Sequence, residues 1–102
     1  MTKKCESPIE RILLRAMQDY GLLPICQYEI GRYRVDFCFY DERLIVEADG
    51  KRWHSSPRAK RRDRLRDKFL RSRGWRVLHI TGPEILTDAY ECARKIRKEL
   101  GR

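Results

Sequence analysis

The sequence contains no long apolar run. No stretch approaches the roughly 20 apolar residues of a transmembrane helix, and the opening MTKKCESPIE contains no apolar signal core. We therefore expect a cytoplasmic protein with no membrane partner. Internal repeats and low-complexity segments are also missing, and a chain of 102 residues rarely holds two cores. The sequence predicts one domain over residues 1–102.

Paired metal-binding cysteines are missing as well. The four cysteines form no CxxC pair, and no cluster of Cys and His has zinc-finger spacing. This pattern argues against a structural zinc ion. Cys38 falls in an apolar strand, where a thiol usually serves as a small hydrophobe, so we expect free thiols rather than disulfides.

Acidic residues are scarce in one segment. The chain carries 24 Lys and Arg against 15 Asp and Glu, yet residues 51–76 hold 12 of the basic side chains and only two acids. Basic side chains this close together repel one another unless an anion screens their charge. This favours phosphate-backbone binding over a role in solubility alone. The candidate contacts to the phosphate backbone of a nucleic acid are Lys51, Arg52, Arg58, Lys60, Arg61 and Arg62.

Helix and strand signals follow one another in the order αβββαβα. Capping residues, apolar periodicity and turn residues predict helices over 7–21 and 57–73, strands over 25–30, 33–40, 43–48 and 75–80, and a last helix from about residue 83. The apolar stripes place Ile12 in the core and align the second helix on Leu65, Phe69 and Leu70. This order predicts an α/β or α+β fold, a mixed sheet flanked by helices.

The short turn between the second and third strands fixes their register. If the strands close through the turn at residues 41 and 42, opposed residues have numbers that sum to 83. Val35, Phe37 and Phe39 then share one apolar face, which we expect to be the core face.

The same register brings acids together on the other face. Asp36 lies opposite Glu47, and Arg34 opposite Asp49. Directly opposed side chains have Cβ atoms about 5 Å apart, and like charges there are destabilising. A neighbouring base, protonation of one acid or a divalent cation would compensate. Alternatively, the face is solvated and Arg34 and Asp49 form an ordinary salt bridge.

Three further polar residues could belong to a site. Two of them have two interpretations each, and the third has one. Glu10 follows Ser7 by three residues, as in a capping box, yet it could also reach the acidic pair. His54, in a polar loop, is either an ordinary surface residue or a general base beside a metal. His79 alternates with apolar residues in a strand and is interpreted as structural.

These residues together resemble the PD-(D/E)XK nuclease superfamily. Asp36 in YRVDF and Glu47 in IVEADG match its two strand acids. Within it, the chain resembles the very-short-patch-repair (Vsr-like) endonuclease branch, which includes phage homing endonucleases with an EDxHD motif. Glu10, Asp36, His54 and Asp63 match that motif in order, and the likeness extends over roughly residues 7–86.

The resemblance implies a restriction-endonuclease-like core and a metal-dependent DNA endonuclease that acts on double-stranded DNA. Asp36 and Glu47 would bind Mg²⁺, for which Mn²⁺ would substitute. His54 would activate water or relay its proton, with Glu10 and Asp63 as orienting groups. A homodimer, or an additional specificity domain in a longer protein, stays open.

Two features depart from the superfamily pattern. The lysine expected two residues after the second acid is Asp49, so its role passes to His54, to Lys51 or to no residue. Asp67 competes with Asp63 for the last acid. The alternative functions are a nucleic-acid-binding module without catalysis and a structural or protein-interaction domain.

Overall fold

The chain folds as a mixed sheet flanked by helices, in a computed structural model that describes residues 7–50 and 56–102. The predicted fold class is confirmed. Along the chain the elements are α1 (Pro8–Asp19), β1 (Ile25–Ile30), β2 (Tyr33–Phe39), β3 (Leu44–Asp49), α2 (Pro57–Ser72), β4 (Arg76–Thr81), α3 (Gly82–Thr87) and α4 (Ala89–Glu99). In the described part of the chain, no helix has the length and apolar character needed to cross a membrane.

The sheet has the strand order β1-β2-β3-β4. The first three strands are antiparallel neighbours because short turns join them, and β4 pairs in parallel with β3 after the α2 crossover. Phe37 pairs with Val46 and Phe39 with Leu44. The predicted register, in which paired numbers sum to 83, is therefore confirmed for this part of the hairpin.

Both faces of the sheet are covered. Helices α1, α3 and α4 pack on one face, where Phe37 and Phe39 lie. Helix α2 covers the other face through Leu70. Val35 belongs to this second cluster, so the prediction that it shares a face with Phe37 and Phe39 is wrong. The alternation is interrupted at Asp36, whose backbone N–H donates to a side chain of the neighbouring strand.

The helices differ from the prediction in three details. Ile12 on α1 and Leu65 on α2 are 40% and 51% exposed, so neither is part of the core. The predicted last helix is two helices, α3 and α4. Asp88 separates them with an extended backbone (φ −161°), and its carboxylate accepts the N–H of Glu91 at 3.0 Å to cap α4. A local capping residue thus outweighs the continuous apolar periodicity.

The turn between β1 and β2 requires glycine at position 31. Gly31 has φ +62°, and a Cβ there would lie 2.8 Å from the Phe69 ring of α2. We expect Gly31→Ala to lower the free energy of unfolding by about 2 kcal/mol, about half from the left-handed backbone and half from displacing the ring. Gly21→Ala is the control, because Gly21 has φ +77° and no atom within 4 Å of the added Cβ. Equal losses in urea unfolding would contradict the contact with Phe69.

Candidate active site

The two predicted strand acids meet through reciprocal hydrogen bonds. Glu47 Oε2 accepts the backbone N–H of Asp36 at 2.9 Å, and Asp36 Oδ2 accepts the backbone N–H of Ala48 at 2.8 Å. Each carboxylate is therefore fixed by the backbone of the other strand's segment. Such bonds orient a carboxylate more firmly than solvent would, because the donor belongs to the sheet.

The electrostatics of this pair are unusual. Burial, and next the charge of Glu47, raise the pKa of Asp36 to about 7, against the opposing hydrogen bond from Ala48. Burial also raises the pKa of Glu47, and the nearby charge of Arg66 opposes this effect. Two of the compensations that the sequence allowed are thus found at this pair: a neighbouring base, and a raised pKa that favours protonation of one acid.

The neighbouring base is Arg66 of α2. Its Nη1 lies 2.6 Å from Glu47 Oε1, and its Nη2 donates to the carbonyl oxygen of Arg34 at 3.0 Å. The guanidinium also stacks over the Tyr33 ring at 5.7 Å. Arg66 is therefore fixed to the sheet on both sides of its fork, although the basic run gave no signal that distinguished it from its neighbours.

Glu10 takes part in the cap of α1, as predicted. Its backbone N–H donates to the Ser7 hydroxyl at 3.3 Å, and that hydroxyl donates to Glu10 Oε2 at 3.2 Å, which begins α1. Its charge also contributes to the raised pKa of Asp36. Glu10 Oε1 accepts from the side chain of Gln27 at 2.9 Å. Gln27 is buried with φ +53°, a feature for which the sequence has no signal.

A second polar cluster borders the acidic pair. His79 lies opposite Glu47 in the β3–β4 pairing. Its Nδ1 lies 3.0 Å from Asp49 Oδ2, and its Nε2 lies 2.8 Å from Asp67 Oδ2. The hydrogen bond to Asp49, followed by that to Asp67, raises the pKa of His79 to about 9, although partial burial opposes the shift. Asp49 thus binds a histidine of the fourth strand.

The remaining predicted residues fall into two groups. Lys51, Arg52 and His54 lie outside the described residues. The others are exposed on α2, namely Arg58, Lys60, Arg61, Arg62 and Asp63. Of the two competing acids, the structure brings Asp67 to the cluster and leaves Asp63 exposed one turn earlier.

The chemistry of the donor set fits a cation held by few protein ligands. Within residues 7–50 and 56–102, no group of three or more Asp, Glu, His or Cys side chains is arranged around a metal position. Asp36 and Glu47 supply two carboxylates. Mg²⁺ is commonly held by one or two carboxylates together with waters and substrate phosphate, and this pair supplies that number of carboxylates.

Comparisons with known proteins define the class. The catalytic domain of the homing endonuclease I-Bth0305I has a similar structure, with a TM-score of 0.74 over 92% of this chain and 94% of that one. At 23% identity this likeness shows the fold alone. The protein has a restriction-endonuclease-like fold.

The family follows from sequence. The model of the REase_MTES_1575 family matches residues 10–100, and the chain belongs to that family. The uncharacterized proteins MT2308 and Rv2248 of Mycobacterium tuberculosis (strains CDC 1551 / Oshkosh and ATCC 25618 / H37Rv) are each 32% identical to it over 105 residues. These alignments cover 97% of this chain and 39% of each relative, so the chain spans about two fifths of their length.

Proposed function

We propose that the protein is a metal-dependent DNA endonuclease that hydrolyses phosphodiester bonds. The observation that carries this proposal is the reciprocal fixing of Asp36 and Glu47, two carboxylates held by backbone N–H groups at a point where both have raised pKa values. Groups with perturbed pKa values cluster at functional sites. Membership of the REase_MTES_1575 family and the likeness to a homing endonuclease catalytic domain support the same activity.

Asp36 and Glu47 are the proposed ligands of Mg²⁺, with Mn²⁺ as a substitute. Both offer the hard oxygen donors that these ions prefer. When bound, the ion polarises the scissile phosphate and stabilises the charge on the leaving 3′-oxygen. Glu10 and Asp63, or Asp67 in place of Asp63, are proposed to orient the site, and His54 to accept the proton of the attacking water.

The exposed basic face of α2 is the proposed contact with the DNA backbone. The helix carries eight basic residues against two acids. Phosphate contacts give affinity without sequence preference. We propose that the DNA contacts are Lys51, Arg52, Arg58, Lys60, Arg61 and Arg62.

The type of nuclease active site and the assembly of the protein are also proposed. The order of Glu10, Asp36, His54 and Asp63 supports a Vsr-like or homing-endonuclease type of active site with the EDxHD pattern. The greater length of the two mycobacterial relatives is compatible with an additional specificity domain in a longer protein. A homodimer would be the alternative route to a double-strand break.

Metal binding should release a proton below neutral pH. The pKa of Asp36 is raised to about 7, so at pH 6 its carboxyl is mostly protonated and must lose that proton to bind Mn²⁺. We expect calorimetric titrations in buffers of different ionisation enthalpy to show about one proton released per ion at pH 6 and almost none at pH 8.5. Equal release at the two pH values would contradict the raised pKa of Asp36.

Nicking of supercoiled plasmid tests the proposed function. We expect nicked product with Mg²⁺ or Mn²⁺, none with EDTA, and loss of activity in Glu47→Gln. Cleavage in EDTA, or full activity of Glu47→Gln, would contradict the proposal.

The main alternative is a binding module without catalysis, which Asp49 in the position of the superfamily lysine supports. Such a module would bind DNA with an affinity that falls as the salt concentration rises, and it would leave the plasmid intact with every divalent ion.

A further inference from the structure

The ring of His79 joins two elements of the molecule. One nitrogen lies 3.0 Å from Asp49 at the end of β3, and the other lies 2.8 Å from Asp67 on α2. The His79 side chain is 39% exposed and that of Asp67 is 26% exposed. The ring therefore spans from the sheet to the helix that covers it.

The chemistry of these two bonds restricts the role of His79. An ionised carboxylate only accepts hydrogen bonds, so a ring that bonds two of them donates from both nitrogens and is an imidazolium. An imidazolium has no lone pair for a metal ion or for the proton of a water molecule. In this arrangement both ring nitrogens of His79 are engaged by the two acids, and the ring ties Asp49 to Asp67.

The position of the cluster connects it to the acidic pair. Asp49 follows Glu47 by two residues on β3, where the superfamily resemblance expects a lysine. Asp67 is the neighbour of Arg66, which lies on Glu47 at 2.6 Å. His79 of β4 thus lies beside Asp49, which occupies the position of the expected lysine. It also binds the turn of α2 that carries Arg66.

Helix α2 places few buried apolar residues on the sheet. Of its sixteen residues only Ala59 and Leu70 are buried. A helix with so little buried apolar surface gains little positional precision from packing. Polar bonds to the sheet come from Arg66, Asp67 and Arg71. Those of Arg66 and Asp67 lie beside Glu47 and therefore have a large share in setting where the Arg66 guanidinium lies.

We infer that His79 is a positioning residue of the nuclease site: it ties Asp49 to Asp67 and thereby holds Arg66 on Glu47. This inference rests on the proposed function for its effect on catalysis. Its structural half, the placement of Arg66, is observable without activity.

The test compares His79→Ala and His79→Arg with the wild type. Arginine retains a positive charge and donors in two directions, so it can bridge both acids, whereas alanine cannot. Arg76→Ala is the matched control, because Arg76 ties the same strand to Glu99 of α4, away from the site.

Two readouts are measured on the folded variants. The first is the single-turnover rate of plasmid cleavage together with the Kd for DNA. The second is the set of guanidinium Hη signals of Arg66 in NMR spectra, assigned by their loss in Arg66→Lys. If His79 had a merely structural role, its replacement by alanine would not lower the cleavage rate at an unchanged Kd. Replacement by arginine would then not restore that rate.

We expect His79→Ala to slow cleavage by about 100-fold, with little change in Kd, because small displacements at a reacting centre have effects of that size. The held Hη signals of Arg66 should disappear. His79→Arg should restore both, and Arg76→Ala should retain both. Wild-type cleavage and unchanged Hη signals in His79→Ala would overturn the inference, as would equal loss in the alanine and arginine variants. A wild type that cleaves no DNA would overturn the proposed function, and the Hη signals would then decide the placement of Arg66 alone.

Discussion

Replacing Asp36 with asparagine is expected to abolish DNA cleavage while making the fold more stable. Asparagine can still accept the N–H of Ala48 through its carbonyl oxygen, but it offers no charge to a divalent ion. Loss of a metal-binding carboxylate should lower the cleavage rate by about 1,000-fold or more, equivalent to about 4 kcal/mol of transition-state stabilisation.

The gain in stability follows from the raised pKa. In the unfolded chain Asp36 ionises near 3.8, whereas in the fold its pKa is about 7. The folded state therefore binds this proton more tightly, and the Asp36 contribution to stability decreases as the pH rises from about 4 to about 7. At pH 8 the ionised carboxylate destabilises the fold, and its removal should raise the free energy of unfolding by about 2 kcal/mol, allowing for partial solvation.

Urea unfolding at pH 8 and at pH 4.5 measures this effect. The stabilisation by Asp36→Asn should be large at pH 8 and should shrink at pH 4.5, where the wild-type carboxyl is protonated. Asp41→Asn, at an exposed turn position, should change stability by less than about 0.5 kcal/mol at either pH. An Asp36→Asn protein that is less stable than the wild type at pH 8 would contradict the raised pKa of Asp36.

Replacing Arg66 with methionine should have the opposite effect on stability. Glu47 is buried and Arg66 lies 2.6 Å from it, so the variant leaves a buried charge without its partner. Breaking such a pair is strongly destabilising, and because Arg66 is itself partly exposed we expect a loss of about 3 kcal/mol at pH 8. The hydrogen bond to the Arg34 carbonyl is lost as well.

The pH dependence of this loss identifies its cause. Burial already raises the pKa of Glu47 and Arg66 opposes that effect, so removal of Arg66 raises the pKa further. The destabilisation should therefore be largest at high pH and should diminish as the pH falls and Glu47 takes up a proton. Arg64→Met, at an exposed position of the same helix, is the control.

A double variant separates the ion pair from side-chain packing. If the unpaired charge causes the loss, Arg66→Met combined with Glu47→Gln should recover most of the stability at pH 8. A pH-independent loss that Glu47→Gln does not relieve would show that Arg66 acts through packing instead.

Local geometry explains which parts of the site the sequence could predict. The β2–β3 turn is short, so the register that brings Asp36 to Glu47 follows from counting residues. Glu10 could be predicted as a cap because capping depends only on spacing along one helix. These predictions depend on contacts between neighbours in sequence or across one tight turn.

The other members of the site depend on placements that counting cannot supply. His79 reaches Asp49 because β4 pairs in parallel with β3, and a crossover through α2 sets no register in advance. Arg66 was not distinguished from its basic neighbours, and the choice between Asp63 and Asp67 stayed open, because the rotation of α2 over the sheet depends on tertiary packing. Val35 was assigned to the wrong face because the alternation of β2 is interrupted between Val35 and Phe37, and a count of residues along the strand assumes that it is not.

Asp36 and Glu47 are proposed to bind together a divalent cation used in DNA cleavage. Anomalous diffraction from crystals soaked in Mn²⁺ tests it most directly. We predict a Mn²⁺ peak about 2.1 Å from a carboxylate oxygen of each residue. A peak within binding distance of neither carboxylate, or no peak in a protein that nicks DNA with Mn²⁺, would contradict the assignment of Asp36 and Glu47 as metal ligands.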